Sequence, residues 1–361
     1  MPPAQSPPAP PVPGGHPRRL VFAGEAIVDV SMRVPAFPAP GADILAESSG
    51  VAVGGGFSVM AAAARQGLPV LYAGGHGTGP WGDLVREALA AEGIEVFRSP
   101  DPLRDTGFTV ALSRPGDASR PGGAERDADV ERDAERAYVT RLGAESAREP
   151  GCMDDIPVTE GDAVYISGYG LIPPESGPVV AEWASALPPG ALLFCDPGPL
   201  AGQIPVPLLA RVLPRCDWLS CTAREAVALT GIEDPADAAR ALLGTAKGGR
   251  ARNVIVRTGP SGCLLALRGR SESAVATPIA VATCRSSAGA WIVRVPAPAV
   301  AAVDTTGAGD AHAGAFLAAL ADGLPPDLAA RRANAAAALS VTRQGPATAP
   351  TRATLDAWLA S

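Results

Sequence analysis

From Ala163 onward the chain alternates short apolar runs with helical stretches, and this alternation restricts the fold more than any other feature. Val164-Tyr-Ile-Ser-Gly, Leu192-Leu-Phe-Cys-Asp196, Trp218-Leu-Ser and Val254-Ile-Val-Arg are apolar-rich runs of strand length. A strand wetted on one face would alternate polar and apolar residues, whereas a continuous apolar run is buried on both. Such strands, separated by helices, imply a doubly wound α/β fold with a mostly parallel sheet. The 361 residues suffice for one large domain of this kind or two smaller ones.

The first half adds detail. Residues 20–30 read as the first strand, with Gly24 inside it and Asp29 at its C-terminal end. Residues 58–66 and 81–92 read as helices closed by Gly67 and Gly93, because glycine accepts the left-handed turn that ends a helix. Three extended pieces, at about 44–53, 106–113 and 137–141, fall outside the alternation and predict a small second sheet. Residues 1–18 are Pro-rich and aperiodic, as expected of a disordered tail before a domain spanning 19–361. Residues 114–136 and 269–289 read as insertions, the former rich in Gly, Asp, Glu and Arg. No internal repeat is apparent.

Composition excludes several classes. Net charge is −7 and aromatics are 4%, so the chain lacks both the basic footprint and the stacking platforms of a nucleic-acid binder. No uninterrupted apolar run reaches membrane-spanning length. Residues 18–23 have the start of a targeting signal, but Glu25 and Asp29 interrupt it, so a first strand and a cytoplasmic protein are expected. Six scattered cysteines include no Cys-x-x-Cys, and with only His16, His76 and His312 beside them no zinc site is expected.

The chemistry concentrates in Ala302-Val-Asp304-Thr-Thr-Gly307-Ala-Gly309-Asp310-Ala-His-Ala-Gly314-Ala-Phe316. An apolar lead-in, a turn with two glycines and an alanine-rich helix place free N–H groups and the positive end of a helix dipole together. Gly307 and Gly309 let a phosphate approach the backbone where a Cβ would obstruct it. Asp310 stands where a carboxylate can take the proton of an attacking hydroxyl, and phosphoryl transfer needs little beyond positioning, charge stabilisation and such a base. The same pattern also fits an ordinary turn whose Asp complements the dipole. No Gly-x-x-x-x-Gly-Lys-Ser/Thr occurs, which disfavours a P-loop enzyme.

The segment from Asp304 to Gly314 resembles the C-terminal signature of the ribokinase-like (PfkB) carbohydrate kinases. The segment Val53-Gly54-Gly55-Gly56-Phe57-Ser58, with the residues through Gly67, is similar to their N-terminal glycine-rich signature. Order and separation agree, and the resemblance runs from about Arg19 to the C-terminus. It implies a ribokinase-like core with a small β-sheet lid, ATP and Mg²⁺ as cofactors, a sugar or nucleoside as acceptor, and pairing of two subunits through the lid. Relatives often bind a monovalent cation near the Asp-Thr-Thr loop, so K⁺ is a candidate activator.

The resemblance also distributes roles. Asp310 becomes the base, with Gly307, Ala308 and Gly309 as the anion hole. Asp29 becomes the ligand of substrate hydroxyls, although a turn-forming Asp fits the sequence as well. Gly54 and Gly55 permit close approach of a sugar, or serve as a hinge between lid and core. Ser58 stands where the family commonly has a substrate-contacting Asn, so the acceptor or the contact differs. Thr222 and Glu225 match the Asn-x-x-Glu motif that helps hold Mg²⁺, with Thr replacing Asn, and they equally form a capping box. Arg257, Thr258, Gly259 and Gly262 resemble the nucleotide-binding Gly-x-x-Gly turn, and a hairpin turn explains the glycines too. Asn334 lies on the alanine-rich helix that lines the adenine pocket in the family. His312 points about 200° away from Asp310 around the helix, which favours packing over catalysis. In a nucleoside kinase of the same fold, Phe57 and Phe108 are candidates to cover the base. A binding homologue without turnover is the reading from another class, supported by Ser58 and Thr222.

Overall fold

The computed structural model describes residues 16–114, 135–146, 148–244, 251–268, 283–285 and 290–361. The Pro-rich tail through residue 15 lies outside them. So does most of each expected insertion, at 115–134, 269–282 and 286–289.

The first strands are β1 (Arg19–Phe22), β2 (Ala26–Arg33) and β3 (Ser48–Gly55), followed by α1 (Phe57–Arg65), β4 (Val70–Tyr72), α2 (Pro80–Ala91) and β5 (Glu95–Val96). Next come β6 (Phe108–Arg114), β7 (Glu135–Arg141), β8 (Asp162–Ser167), α3 (Gly177–Ser185), β9 (Leu192–Asp196), α4 (Val206–Val212) and β10 (Trp218–Thr222). The chain continues through α5 (Ala223–Thr230), α6 (Pro235–Leu242), β11 (Asn253–Arg257), β12 (Cys263–Arg268), β13 (Thr283–Arg285) and β14 (Ala290–Val295). It ends in α7 (Ala308–Ala321), α8 (Pro326–Ser340) and α9 (Arg352–Leu359).

Among the described residues the large sheet runs β13-β14-β12-β11-β10-β9-β8-β1-β4-β5. From β5 to β11 neighbouring strands are parallel, and β12, β14 and β13 follow antiparallel. Both faces are buried, which is why the strands are continuous apolar runs. Leu20, Phe22, Tyr165, Phe194, Trp218 and Ile255 pack with α1, α7 and α8 on one face. Val21, Val164, Ile166, Leu193, Cys195, Leu219 and Val256 pack with α3, α5 and α6 on the other. No helix among the described residues is long and apolar enough to cross a membrane.

The small sheet runs β3-β2-β6-β7 and holds one strand more than the sequence reading placed there. Residues 20–30 are two strands in two sheets, not one. At Gly24 a Cβ would lie 2.8 Å from the Phe22 ring, so only glycine lets the chain turn out of the core sheet there. The exit is pinned by Arg148, which donates to the Glu25 carboxylate and to the Ala23 carbonyl, both at 3.1 Å. Asp29 therefore lies on the lid sheet and not at the carboxyl end of a core strand, which corrects its expected position.

Candidate active site

The carboxyl ends of β8, β9, β10 and β11 form one rim, and each ends in a polar residue. Ser167 is in register with Asp196, and Thr222 with Arg257. In open α/β sheets this rim is where ligands bind, because the connections leave a crevice there. Arg257 is the hub of its charges. Its Nη1 donates to Asp196 Oδ2 at 2.6 Å and to Ser220 Oγ at 2.7 Å, and its Nη2 lies 3.6 Å from Glu225 Oε2. Asp196, Ser220 and Glu225 are all buried. Burial acts against the Arg257 charge, but Asp196 and Glu225 outweigh it and hold the guanidinium protonated. Glu225 itself is raised by burial and by Asp196.

Thr222 and Glu225 do form a capping box at the start of α5. The Thr222 N–H donates to Glu225 Oε2 at 2.7 Å, and the Glu225 N–H donates to Thr222 Oγ1 at 3.2 Å. The turn after β11 is the hairpin into antiparallel β12. Its Thr258 hydroxyl donates to the Gly262 carbonyl at 3.0 Å, and Gly259 and Gly262 both take positive φ, 57° and 95°. Asn334 is buried, not solvent-facing, and its amide donates to the Val295 carbonyl at 2.9 Å, tying α8 to the end of β14.

Across the rim stands the N-terminus of α7. Gly307 caps it at φ 76°, ψ 5°, a conformation that disfavours any side chain. The preceding loop is held by Asp304, whose carboxylate accepts from the Thr306 N–H at 3.0 Å and from the Gly345 N–H at 2.9 Å. Asp310 lies in the first turn, half-buried. Burial and the charge of Asp196 push its carboxyl up to about 7, Asp29 and Glu225 add to this, and Arg257 opposes it. A carboxylate poised near neutrality at a helix N-terminus is suited to accept a proton.

The lid contributes Asp29, whose carboxyl is pushed up to about 6 by burial. It lies directly over Gly54, where a Cβ would sit 1.9 Å from Oδ2, so Gly54 makes room for a carboxylate of the chain itself. Gly55 is left-handed at φ 58°. Ser58 is buried, and its Oγ would lie 3.8 Å from a Cβ at Gly307, which places it between α1 and the α7 cap.

The fold thus gathers Asp29, Glu225, Arg257 and Asp310 electrostatically, while Thr258 and Asn334 are engaged in holding turns and strand ends. Sequence reasoning missed Asp196 and Ser220. Asp196 was visible as a lone carboxylate ending a buried strand, but nothing local indicated its partner 61 residues on. His312 is fully packed, parallel to Phe316 at 6.3 Å, and burial with nearby Arg257 lowers it to about 3, so the ring is neutral. Phe57 is buried in the core, whereas Phe108 is half-buried and packs on Trp81 at 5.8 Å. An exposed aromatic residue at this end is Tyr169, just after β8, whose hydroxyl is raised to about 12 by burial, Tyr138, Asp310, Glu225 and Asp29.

Comparison with known proteins agrees with this architecture. The model of the family described as pfkB family carbohydrate kinase matches residues 128–352. The chain is 30% identical over 340 residues to the Escherichia coli (strain K12) protein described as "Uncharacterized sugar kinase YegV", covering 92% of this chain and 91% of that one. It superposes on the Arabidopsis thaliana ribokinase complexed with ribose and ATP with a TM-score of 0.71 at 23% identity, over 95% of this chain and 99% of that one. For the Salmonella enterica aminoimidazole riboside kinase, complexed with aminoimidazole riboside and an ATP analogue, the TM-score is 0.67 at 22% identity, over 95% and 100%. A doubly wound core carrying a small lid sheet is the ribokinase-like architecture of sugar kinases. The chain belongs to the pfkB family of carbohydrate kinases.

Proposed function

We propose that this protein transfers the γ-phosphoryl group of Mg·ATP to a primary hydroxyl of a sugar or sugar-derived molecule. The observation that carries the reading is Asp310, a carboxyl raised to about 7 in the first turn of α7 beside the Gly307-Ala308-Gly309 backbone. Asp310 takes the proton of the acceptor hydroxyl as that oxygen attacks. The N–H groups of Gly307, Ala308 and Gly309 hold negative charge on the transferring group, that of Ala308 in exchange for its 3.2 Å bond to the Thr305 carbonyl. Asp29, Gly54, Gly55 and Ser58 define the acceptor side, with the Asp29 carboxylate accepting from sugar hydroxyls. Thr222, Arg257, Thr258, Gly259, Gly262 and Asn334 define the nucleotide side, the last three through the shape of the turn and strand end.

Asp196 raises the proton affinity of both Glu225 and Asp310, and Asp29 and Glu225 add to that of Asp310, against one guanidinium. That excess of carboxylates suits a divalent cation. Mg²⁺ keeps water and phosphate ligands, so it needs only one or two carboxylates from the chain. Mg²⁺ would be held through Glu225 and would neutralise phosphate charge. K⁺ activation through the Asp304 loop, and a cytoplasmic location with access to ATP, complete the reading. Equal activity in K⁺ and Na⁺ would remove the former.

The alternative acceptor is a nucleoside, favoured by the exposed Tyr169 ring at the rim. ADP production from Mg·ATP against pentoses, hexoses, sugar acids, sugar phosphates and nucleosides separates the readings. Turnover that depends on one acceptor class is expected. Nucleotide and acceptor binding with no ADP formed across the panel would instead favour a homologue without turnover.

A further inference from the structure

An arginine offers five N–H donors in a rigid fork. In Arg257 two are spent, both from Nη1, on Asp196 and Ser220. Nη2 is 3.6 Å from Glu225, an ion pair beyond hydrogen-bond distance. Nε is buried and has no hydrogen-bond partner. A buried donor left unpaired is costly, so its persistence calls for a reason. The unspent edge has a direction. A Cβ built on Gly309 would lie 3.4 Å from Cζ and Nη2 and 3.6 Å from Nε, so the Nε–Nη2 side of the guanidinium lies against the first turn of α7. That side is the one able to bind two oxygens of a phosphate at once.

We propose that Arg257 is a catalytic residue whose Nε–Nη2 edge holds the transferring phosphoryl group against the α7 N-terminus, with Asp196 and Ser220 as positioning residues that lock the other end of the fork. This rests on the kinase reading and goes beyond it by assigning the donors to the terminal phosphate of a nucleoside triphosphate. The anion hole then has two walls: backbone N–H groups from α7 and a fixed cation from β11. The orientation of the guanidinium is set by the end that faces Asp196, and binding uncovers the buried Nε as the phosphate enters between Arg257 and the first turn of α7. Its attachment to two carboxylates keeps it charged without exhausting its donors. A role confined to neutralising Asp196 and Glu225 would need the charge alone, which an ammonium also supplies.

The test compares wild type with Arg257→Lys and Ser220→Ala. Arg257→Lys keeps the charge and removes the fork. Ser220→Ala leaves every charge in place and frees one Nη1 contact, so it remains informative where the lysine variant folds poorly. Affinities for β,γ-methylene-ATP and for ADP, each with Mg²⁺, are measured by calorimetry, which needs no knowledge of the acceptor. Arg257→Lys is expected to lose the triphosphate analogue by at least about tenfold more than ADP, with Ser220→Ala between the two. A folded Arg257→Lys protein that keeps the wild-type ratio of the two affinities overturns the assignment. Losses for both nucleotides in equal proportion, with lowered melting temperature, overturn it in favour of a structural ion pair. A wild type that binds neither nucleotide removes the kinase reading itself, and is distinguished from failure of the arginine assignment by that fact.

Discussion

At Asp310 the physical constraints are most concentrated. Its carboxyl is held near 7 by burial first and by Asp196 second. The pH profile of kcat/KM should therefore rise through an ionisation near 7, since the base works only when deprotonated. Asp196→Asn removes one negative neighbour and should move that limb to lower pH. The sign for stability is opposite. A carboxyl whose proton affinity is raised by folding binds more protons folded than unfolded between about pH 4 and 7, so its contribution falls as pH rises through that window. Asp310→Asn should thus stabilise the protein at pH 8 by at least about 1 kcal/mol, a melting shift of about 2 °C, and do little at pH 4. An unchanged melting temperature at pH 8 would show that Asp310 carries no such strain. The glycines and Asp310 were legible in the sequence because a strand, turn and helix are adjacent in it. The Asp196–Arg257 pair was not, because strand register, and not spacing, brings 196 and 257 together.

At the scale of elements, the site depends on how closely α7 can approach α1. A Cβ on Gly314 would lie 2.5 Å from the Val59 carbonyl oxygen and 2.6 Å from the Ala62 Cβ. Both helices are alanine-rich for this reason, which the sequence showed as composition without showing the contact. Gly314→Val should overpack the crossing and cost about 1–3 kcal/mol in urea unfolding, with loss of activity as the α7 N-terminus shifts. Thr222→Ala removes the α5 cap at a cost of about 1 kcal/mol. It also frees Glu225, so its effect on Mg·ATP affinity should exceed its effect on stability. The core strands were legible because both their faces are buried. The break at Gly24 was not, since the alternation across residues 20–30 continues through a change of sheet.

For the whole molecule, assembly turns on the lid. Its sheet presents Val51, Tyr138 and Val139 at 55%, 59% and 70% exposure, on its outermost strands β3 and β7. Apolar residues on unpaired edges are suited to a second copy of the chain. Light scattering is expected to give a dimer, and Val139→Asp a monomer with weaker acceptor binding. A wild type that is monomeric at all concentrations would contradict pairing through the lid. The existence of a small sheet was legible from extended pieces outside the alternation. Its fourth strand was hidden in the apparent first strand of the core.

The most direct measurement is the turnover of Asp310→Asn beside wild type, with the acceptor found in the panel and with nucleotide affinity measured on both. The account predicts that the variant folds, binds Mg·ATP and loses at least about 10² in kcat. A variant that binds nucleotide and turns over at the wild-type rate would contradict it.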